Sequence, residues 1–408
     1  MANSSNAMYF QGNDRNGPGH LGEARKIMGR DRLLVLAIFA LIVGAAMGFR
    51  YLRGGAGVKE NAIGGPPQRP SAAGEFRGIS IQLYYSDPNH PYEEYIDEIA
   101  QTGANTVCFV VAAYQENAGS ASIFIEARKA PSDQKLIRLF DHARKRGLRT
   151  VLMPIVLLES PREGEWRGKI NPGNWDDWWE DYTNYVLHYA NLCEQGKVEI
   201  LMVGSELVST ETQEDRWRGL IKQVRKAFKH DKGRLSYSSN WDHYKPIAWW
   251  DDLDIIGMTT YYDLTGGKKP TMDVLMEAWK PIKKEILEWQ AKINRPILFT
   301  EVGWPNQETC AQYPWDYYRS SDKPDPQAQK NCFDAFFQTW FGEKAVAGFL
   351  VWEWRNSPAQ VIDEKKGTDY IPCGKPAMQV IREYYGRERA PSSMPSTATA
   401  TSSKPAGS

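Results

Sequence analysis

The sequence lacks the signatures of several common classes of protein. Its 408 residues carry 50 basic and 50 acidic side chains, so no excess of positive charge indicates a nucleic-acid partner. The five cysteines include no CxxC pair with a matching partner, which argues against a zinc site. No GxSxG elbow is present, and no GxGxxG or GxxxxGK[ST] motif follows a strand-like run. The sequence therefore predicts no metal, no other cofactor and no serine-hydrolase chemistry.

Long apolar runs are also scarce, and the exception is the uncharged segment from Leu33 to Phe49. As a helix rising ~1.5 Å per residue it would span about 25 Å, which is within the range for a membrane span. Basic residues before the segment outnumber those after it, which favours a cytoplasmic N-terminus. We expect a membrane anchor that holds the rest of the chain in the periplasm or outside the cell. A cleaved signal peptide with small residues at Gly44 to Ala46, and hence a secreted protein, is the alternative.

Composition divides the chain into five segments. Residues 1–32 are polar, and part of them resembles an expression-tag remnant; residues 33–49 form the apolar segment, and residues 50–76 read as a Gly/Pro-rich linker. Residues 77–386 are the predicted folded domain. Residues 387–408 are rich in Ser, Thr and Pro, with too few apolar groups to offset the entropy of ordering, and are predicted to be disordered.

The folded segment alternates strand-like and helix-like runs. Eight apolar runs are typical of strands that are buried on both faces. They begin at Gly78, Asn105, Thr150, Val198, Arg234, Asp254, Pro296 and Ala347. Between most of them, and after the last, apolar residues recur every three or four positions, as in helices that pack on a sheet. This order predicts an α/β fold, a (β/α)8 TIM barrel.

Two glutamates follow strand-like runs at the barrel end where active sites form. Glu206 follows the fourth run and Glu301 lies at the end of the seventh. By strand alternation, Glu206 shares a face with Ile200, Met202 and Gly204, and Glu301 shares a face with Phe299; these strand residues are expected to fill the barrel. A carboxyl pair about 5 to 5.5 Å apart is what retaining glycoside hydrolysis requires. The sequence thus predicts a glycoside hydrolase that acts through these two residues.

Several motifs carry a resemblance to a known family. The runs MVGSELVSTE, IKQVRKAF, SYSSNWD, FTEVGW, GMTTYYD, WRGKINP and GKPAMQVI resemble glycoside hydrolase family 113, within the clan of retaining (β/α)8 hydrolases. The resemblance covers roughly residues 77–385. It implies that Glu206 is the acid/base and Glu301 the nucleophile, and that an oligosaccharide or polysaccharide, with β-mannan the leading candidate, is the substrate.

The resemblance also implies roles for further residues. Tyr261 matches the tyrosine that hydrogen-bonds the nucleophile, and Trp352 matches the tryptophan beneath the sugar at the scissile bond. Four other residues are candidates either for substrate contact or for capping the barrel. They are Asn240, Trp241, Trp166 and Arg167.

Two positions depart from the pattern of the clan. Ser205 stands where many members carry an asparagine that contacts the sugar 2-hydroxyl, and Ile155 stands where relatives tend to carry a polar contact. Contacts to the 2-hydroxyl that strengthen in the transition state can supply several kcal/mol. A catalytically silent, carbohydrate-binding barrel in an exopolysaccharide or cell-wall assembly is therefore the alternative function. The sequence does not specify the oligomeric state.

Three cysteines follow the last two strands, and a disulfide between two of them is possible in an exported domain. They are Cys310, Cys332 and Cys373. The sequence alone does not select the pair.

Overall fold

The computed structural model describes residues 75–316, 323–360 and 367–387. Eight parallel strands close into a barrel in sequence order, with the first paired to the eighth. The strands β1 to β8 are Phe76–Gln82, Thr106–Gln115, Arg149–Leu158, Ile200–Ser205, Arg234–Ser239, Ile255–Thr259, Ile297–Val302 and Val346–Val351. Each corresponds to one predicted run, and the predicted parallel eight-stranded barrel is confirmed.

Within the described ranges, seven α-helices surround the barrel. Helices α1 to α7 are Tyr92–Gln101, Asp133–Lys145, Trp175–Gly196, Glu214–Ala227, Met272–Ile293, Pro326–Trp340 and Pro376–Tyr385. Side chains cap several of their first turns: Asn174 accepts from the backbone N–H of Asp176 at 3.0 Å, and Asp325 accepts from that of Ala328 at 2.9 Å. Between β5 and β6 the chain forms only a short 3₁₀ helix, Trp250–Asp252.

Two apolar layers hold the domain together. An inner cluster fills the barrel and includes Val110 and Met153, while an outer cluster lies between strands and helices and includes Val107 and Phe109. The alternation along β2 thus sends neighbouring residues into different layers. Eleven of the fifteen tryptophans are buried, so core packing accounts for most of this abundant residue type.

The outer layer is rich in large aromatic side chains. Trp217 stacks on Trp249 with ring centroids 4.6 Å apart and meets Trp179 edge-on at 5.2 Å. Truncating such a residue to alanine typically costs about 3–5 kcal/mol. This layer is the rigid support from which the strand ends present their side chains.

The predicted N-terminal segment 1–32, the apolar segment Leu33–Phe49, the linker up to residue 74 and the C-terminal tail from residue 388 lie outside the described residues. The linker was predicted to end one residue too late, because Phe76 already belongs to β1. Within the described ranges, no helix combines the length and apolar character that a membrane crossing requires.

The cysteines are free thiols, and two of them are neighbours. The Sγ atoms of Cys310, after β7, and Cys332, on α6, lie 3.9 Å apart, and both residues are fully buried. Cys373 is partly exposed. Of the pairings that the sequence left open, Cys310 with Cys332 is the one that the described part of the chain brings into contact.

Candidate active site

Glu206 lies immediately after β4, on a backbone that turns away from the strand. Its φ of 53° is left-handed, a conformation that residues other than glycine rarely adopt. The turn is held by two hydrogen bonds: the Glu206 N–H donates to the Ser238 carbonyl at 2.8 Å, and the Leu207 N–H donates to the Tyr237 hydroxyl at 2.8 Å. Tyr237 in turn donates to Glu211 at 2.7 Å. This buried chain of contacts fixes the backbone turn from which the Glu206 side chain projects.

Glu301 lies near the end of β7 and is only 4% exposed. The Tyr261 hydroxyl donates to its Oε2 at 2.9 Å, whereas its Oε1 is enclosed and has no hydrogen-bond partner in the described structure. One oxygen is thus held in place and the other is left without a partner. A carboxylate that attacks carbon needs such a free oxygen.

The prediction that strand alternation alone directs these two carboxylates into the barrel is wrong in detail. Phe299 does not fill the barrel; it packs outward on α6, with its ring 4.8 Å from Trp340. The pairing of β7 with β8 is irregular between Phe299 and Val302, so Glu301 leaves the phase of Phe299 and meets Tyr261 of the inner cluster.

A second irregularity precedes Glu206. Ile200 and Met202 point into the barrel as expected, but the pairing of β4 with β5 shifts between Met202 and Ser205. A side chain at Gly204 would lie 2.4 Å from the Tyr182 hydroxyl, in the outer layer. Gly204 therefore does not share the face of Met202, and Glu206 reaches the mouth through its turn rather than through strand phase.

The two carboxyl groups lie within electrostatic range of one another and of Arg167. Arg167 Nη2 donates to Glu206 Oε2 at 2.6 Å. Burial, and next the charge of Glu206, raise the pKa of Glu301 to about 8. Burial also raises the pKa of Glu206, but Arg167 opposes that rise. Arg167 opposes the rise in the pKa of Glu301 as well, so the same cation acts on both carboxyl groups.

Several other predicted residues lie around this pair. Trp352, 8% exposed, and Tyr261 belong to the inner cluster at the mouth. Trp241 is partly exposed and stacks on Trp315, with centroids 5.7 Å apart and an interplanar angle of 24°. Partly exposed, stacked indole rings are suited to the apolar faces of sugars. Asn240 donates to Asp242 at 2.9 Å, which orients the loop that carries Trp241.

The remaining predicted residues are buried and less accessible from the mouth than Trp241. Trp166 is 7% exposed and its ring covers Gly168, so it packs on its own 3₁₀ turn, Arg167–Lys169. Ser205 is buried, and its hydroxyl has no hydrogen-bond partner in the described structure. Ile155 lies within β3 in the inner cluster.

Sequence reasoning missed several residues at the mouth. Gln82 ends β1, and Glu353 follows Trp352; their side chains are hydrogen-bonded. Tyr84 is partly exposed and interacts electrostatically with Glu353, Arg167 and Glu301. The strand-end rule that selected Glu206 and Glu301 could have selected Gln82 and Glu353 as well.

Residues 83–375 match the model of the family described as Glycoside Hydrolase Family 113. No protein with a curated description matches the chain.

Solved structures similar to the chain include three described as members of that family. Two are titled as GH113 β-1,4-mannanases: one is 27% identical with a TM-score of 0.66, the other 28% identical with a TM-score of 0.67. Each covers 77% of this chain and 100% of its own. A third, the β-mannanase AaManA from Alicyclobacillus acidocaldarius in complex with ManMIm, is 24% identical over 77% of this chain and 98% of its own, with a TM-score of 0.68, and supports the fold alone.

Proposed function

Because the chain belongs to glycoside hydrolase family 113, we propose that this glycoside hydrolase cleaves β-1,4-linked mannan with retention of anomeric configuration. The similar structures titled as β-1,4-mannanases support this choice of substrate. The partly exposed Trp241 and Trp315, stacked at the mouth, supply the flat apolar surface that a chain of sugar rings requires.

The proposed reaction has two steps. In the first, Glu301 attacks the anomeric carbon through its free Oε1 while Glu206 gives its proton to the departing glycosidic oxygen. In the second, Glu206 takes a proton from water, which attacks the glycosyl–enzyme bond and releases Glu301. Tyr261 holds the Oε2 of Glu301 throughout, and its hydroxyl stabilises the charge that returns to the carboxylate at the end.

The observation that carries this proposal is the pairing of two unlike carboxyl groups in one buried mouth. Glu206 contacts a fixed cation, whereas Glu301 contacts a neutral hydroxyl and keeps one free oxygen. Carboxyl groups whose environments differ in this way can divide the roles of proton donor and nucleophile.

The test compares the wild-type protein with Glu206→Ala and Glu301→Ala variants on mannan, glucomannan, cellulose and β-glucans. We expect release of reducing ends from mannan by the wild type alone, and NMR should show that the first product is the β-anomer. Binding of mannan without turnover by the wild type would contradict the proposal, and an α-anomeric first product would contradict the assigned roles.

We further propose that the barrel works on the outer side of the cytoplasmic membrane, anchored through residues 33–49. The uncharged run and the excess of basic residues before it support this location. In cell fractionation without protease, the barrel should be recovered in the membrane fraction. Protease added to intact spheroplasts should digest it. Recovery of the barrel in the cytosolic fraction would refute the proposal, as would protection of a membrane-bound barrel from the protease.

A further inference from the structure

A second polar pair lies at the mouth and takes no part in the mechanism above. Gln82 at the end of β1 donates from Nε2 to Oε2 of Glu353, which follows β8, and β1 and β8 are neighbours in the closed barrel. Gln82 is 4% exposed and Glu353 is 5% exposed. The backbone carbonyl of Gln82 also accepts from Asn356 Nδ2 at 2.8 Å, which ties the two strand ends together.

The pair faces the inside of the barrel. Along β1, Phe76 belongs to the inner cluster, whereas Ile79 and Ile81 belong to the outer one, so Gln82 is in phase with the inward positions. Glu353 is near enough to Glu301 to raise its pKa, and it interacts with Tyr84.

The residues after Glu353 point the other way. Trp354 belongs to the outer cluster, and its Nε1 donates to Glu98 on α1 at 3.0 Å. Arg355 is also paired with Glu98. One short segment therefore has an inner side at Glu353 and an outer side at Trp354 and Arg355.

The chemistry of the pair is incomplete without a ligand. No described cation forms an ion pair with Glu353, and burial raises the pKa of its carboxyl group to about 8, which favours the protonated, hydrogen-bond-donating form near neutral pH. The Gln82 amide nitrogen donates to Oε2 of Glu353, and no described residue is hydrogen-bonded to Oε1 of Gln82 or to Oε1 of Glu353. The pair can thus offer a hydroxyl donor on Glu353 beside a carbonyl acceptor on Gln82.

We propose that Gln82 and Glu353 together bind two neighbouring hydroxyl groups of the sugar that lies on Trp352, and so determine which sugar the enzyme accepts. The ligand class is a neutral hexopyranoside whose hydroxyls away from the scissile bond are free. This inference rests on the proposed function, because it assigns hydroxyl recognition to the same site. A sugar hydroxyl both donates and accepts, which matches the donor and acceptor that the pair presents.

The experiment couples changes in the enzyme to changes in the substrate. Mannosides that each lack one ring hydroxyl are compared with the parent on the wild type and on the Glu353→Ala and Gln82→Ala variants. In the wild type, loss of a hydroxyl that the pair binds should lower kcat/KM at least about tenfold, since it leaves buried polar groups without partners. In either variant, the fall in kcat/KM caused by removing that same hydroxyl should shrink to about twofold or less, while the falls caused by removing other hydroxyls persist.

Two further variants separate recognition from folding. Glu353→Gln keeps a donor and an acceptor at the position and should retain most of the discrimination that Glu353→Ala loses. Glu98→Gln alters the outer side of the same segment, so its pattern of hydroxyl penalties should equal that of the wild type. If Glu353→Ala keeps the wild-type pattern of kcat/KM losses across the deoxy substrates, the pair does not bind the sugar hydroxyls and the inference is wrong.

A binding measurement separates this inference from the proposed function. Affinities of the same deoxy sugars are measured by calorimetry on Glu301→Gln and on the double variant with Glu353→Ala. Absence of turnover by the wild type refutes the function alone. If the double variant no longer loses affinity selectively when that hydroxyl is missing, the proposed role of Gln82 and Glu353 is supported even without turnover. If the loss of affinity is the same as in Glu301→Gln, that role is overturned.

Discussion

The end of β4 and the end of β7 each present one carboxyl group to the same mouth, but they hold it in different ways. Glu206 lies beyond its strand on a left-handed turn and contacts the guanidinium of Arg167. Glu301 lies within its strand, contacts the neutral hydroxyl of Tyr261 and has one enclosed oxygen with no partner in the described structure. The chemical identity of the two residues is the same, so their surroundings must divide the work between them.

The comparison also exposes a requirement of the reaction. Burial raises the pKa of both carboxyl groups, and the charge of Arg167 opposes that rise in each of them. The proposed first step needs Glu301 ionised and Glu206 protonated, so only one of the two singly protonated forms of the pair is reactive.

The largest effect should come from removing the carboxylates themselves. Glu301→Gln should lower activity on mannan on the order of 10⁴-fold or more, and Glu206→Gln on the order of 10²- to 10⁴-fold. With an aryl mannoside whose leaving group needs no proton, the first step should survive only in Glu206→Gln. Added azide should then give the β-azide with the Glu206 variant and the α-azide with the Glu301 variant, and the same anomer from both would erase the proposed division of roles.

Removing the hydroxyl that holds Glu301 should have the next largest effect. Tyr261→Phe deletes a hydrogen bond to a charged group, worth about 1.5–3 kcal/mol, so kcat/KM should fall about 10- to 100-fold. Tyr385→Phe is the matched control, since its buried hydroxyl bonds the carbonyl of Gly78 at 2.8 Å. The measurement is the steady-state kcat/KM of both variants. Equal falls in kcat/KM would assign the effect to packing rather than to the hydrogen bond with Glu301.

The smallest effect concerns pH and sharpens the role of the cation. Arg167 lowers the pKa of Glu206, so in Arg167→Gln that pKa should rise and the acid/base should keep its proton to higher pH. The alkaline limb of the kcat/KM profile should therefore move upward by about 1 pH unit. Arg162→Gln, an exposed position in the same loop, should leave the limb in place. A limb that stays fixed, or moves to lower pH, would show that Arg167 does not govern Glu206.

Much of the architecture was predictable because it depends on local patterns. Apolar runs and helical periodicity predicted the eight strands and the closed barrel, and the strand-end rule predicted that Glu206 and Glu301 would lie at the same mouth, where their charges interact. The resemblance correctly indicated contact between Tyr261 and Glu301.

The errors arose where the backbone departs from its own period. The irregular pairings before Ser205 and Val302 cannot be read from alternation, so Gly204 and Phe299 were assigned to the wrong face. The pair Gln82 and Glu353 joins residues 271 positions apart, and no local pattern connects them. The contact between Cys310 and Cys332 likewise depends on how α6 packs beside β7.

The left-handed turn at Glu206 places activity and stability in opposition at a single residue. Outside glycine, a φ of 53° carries a conformational cost on the order of 1 kcal/mol. Glycine normally destabilises a folded chain relative to alanine, but here the order should reverse, so Glu206→Gly should melt at a higher temperature than Glu206→Ala. The residue that we propose as the proton donor is thus one at which selection for heat resistance would act against catalysis.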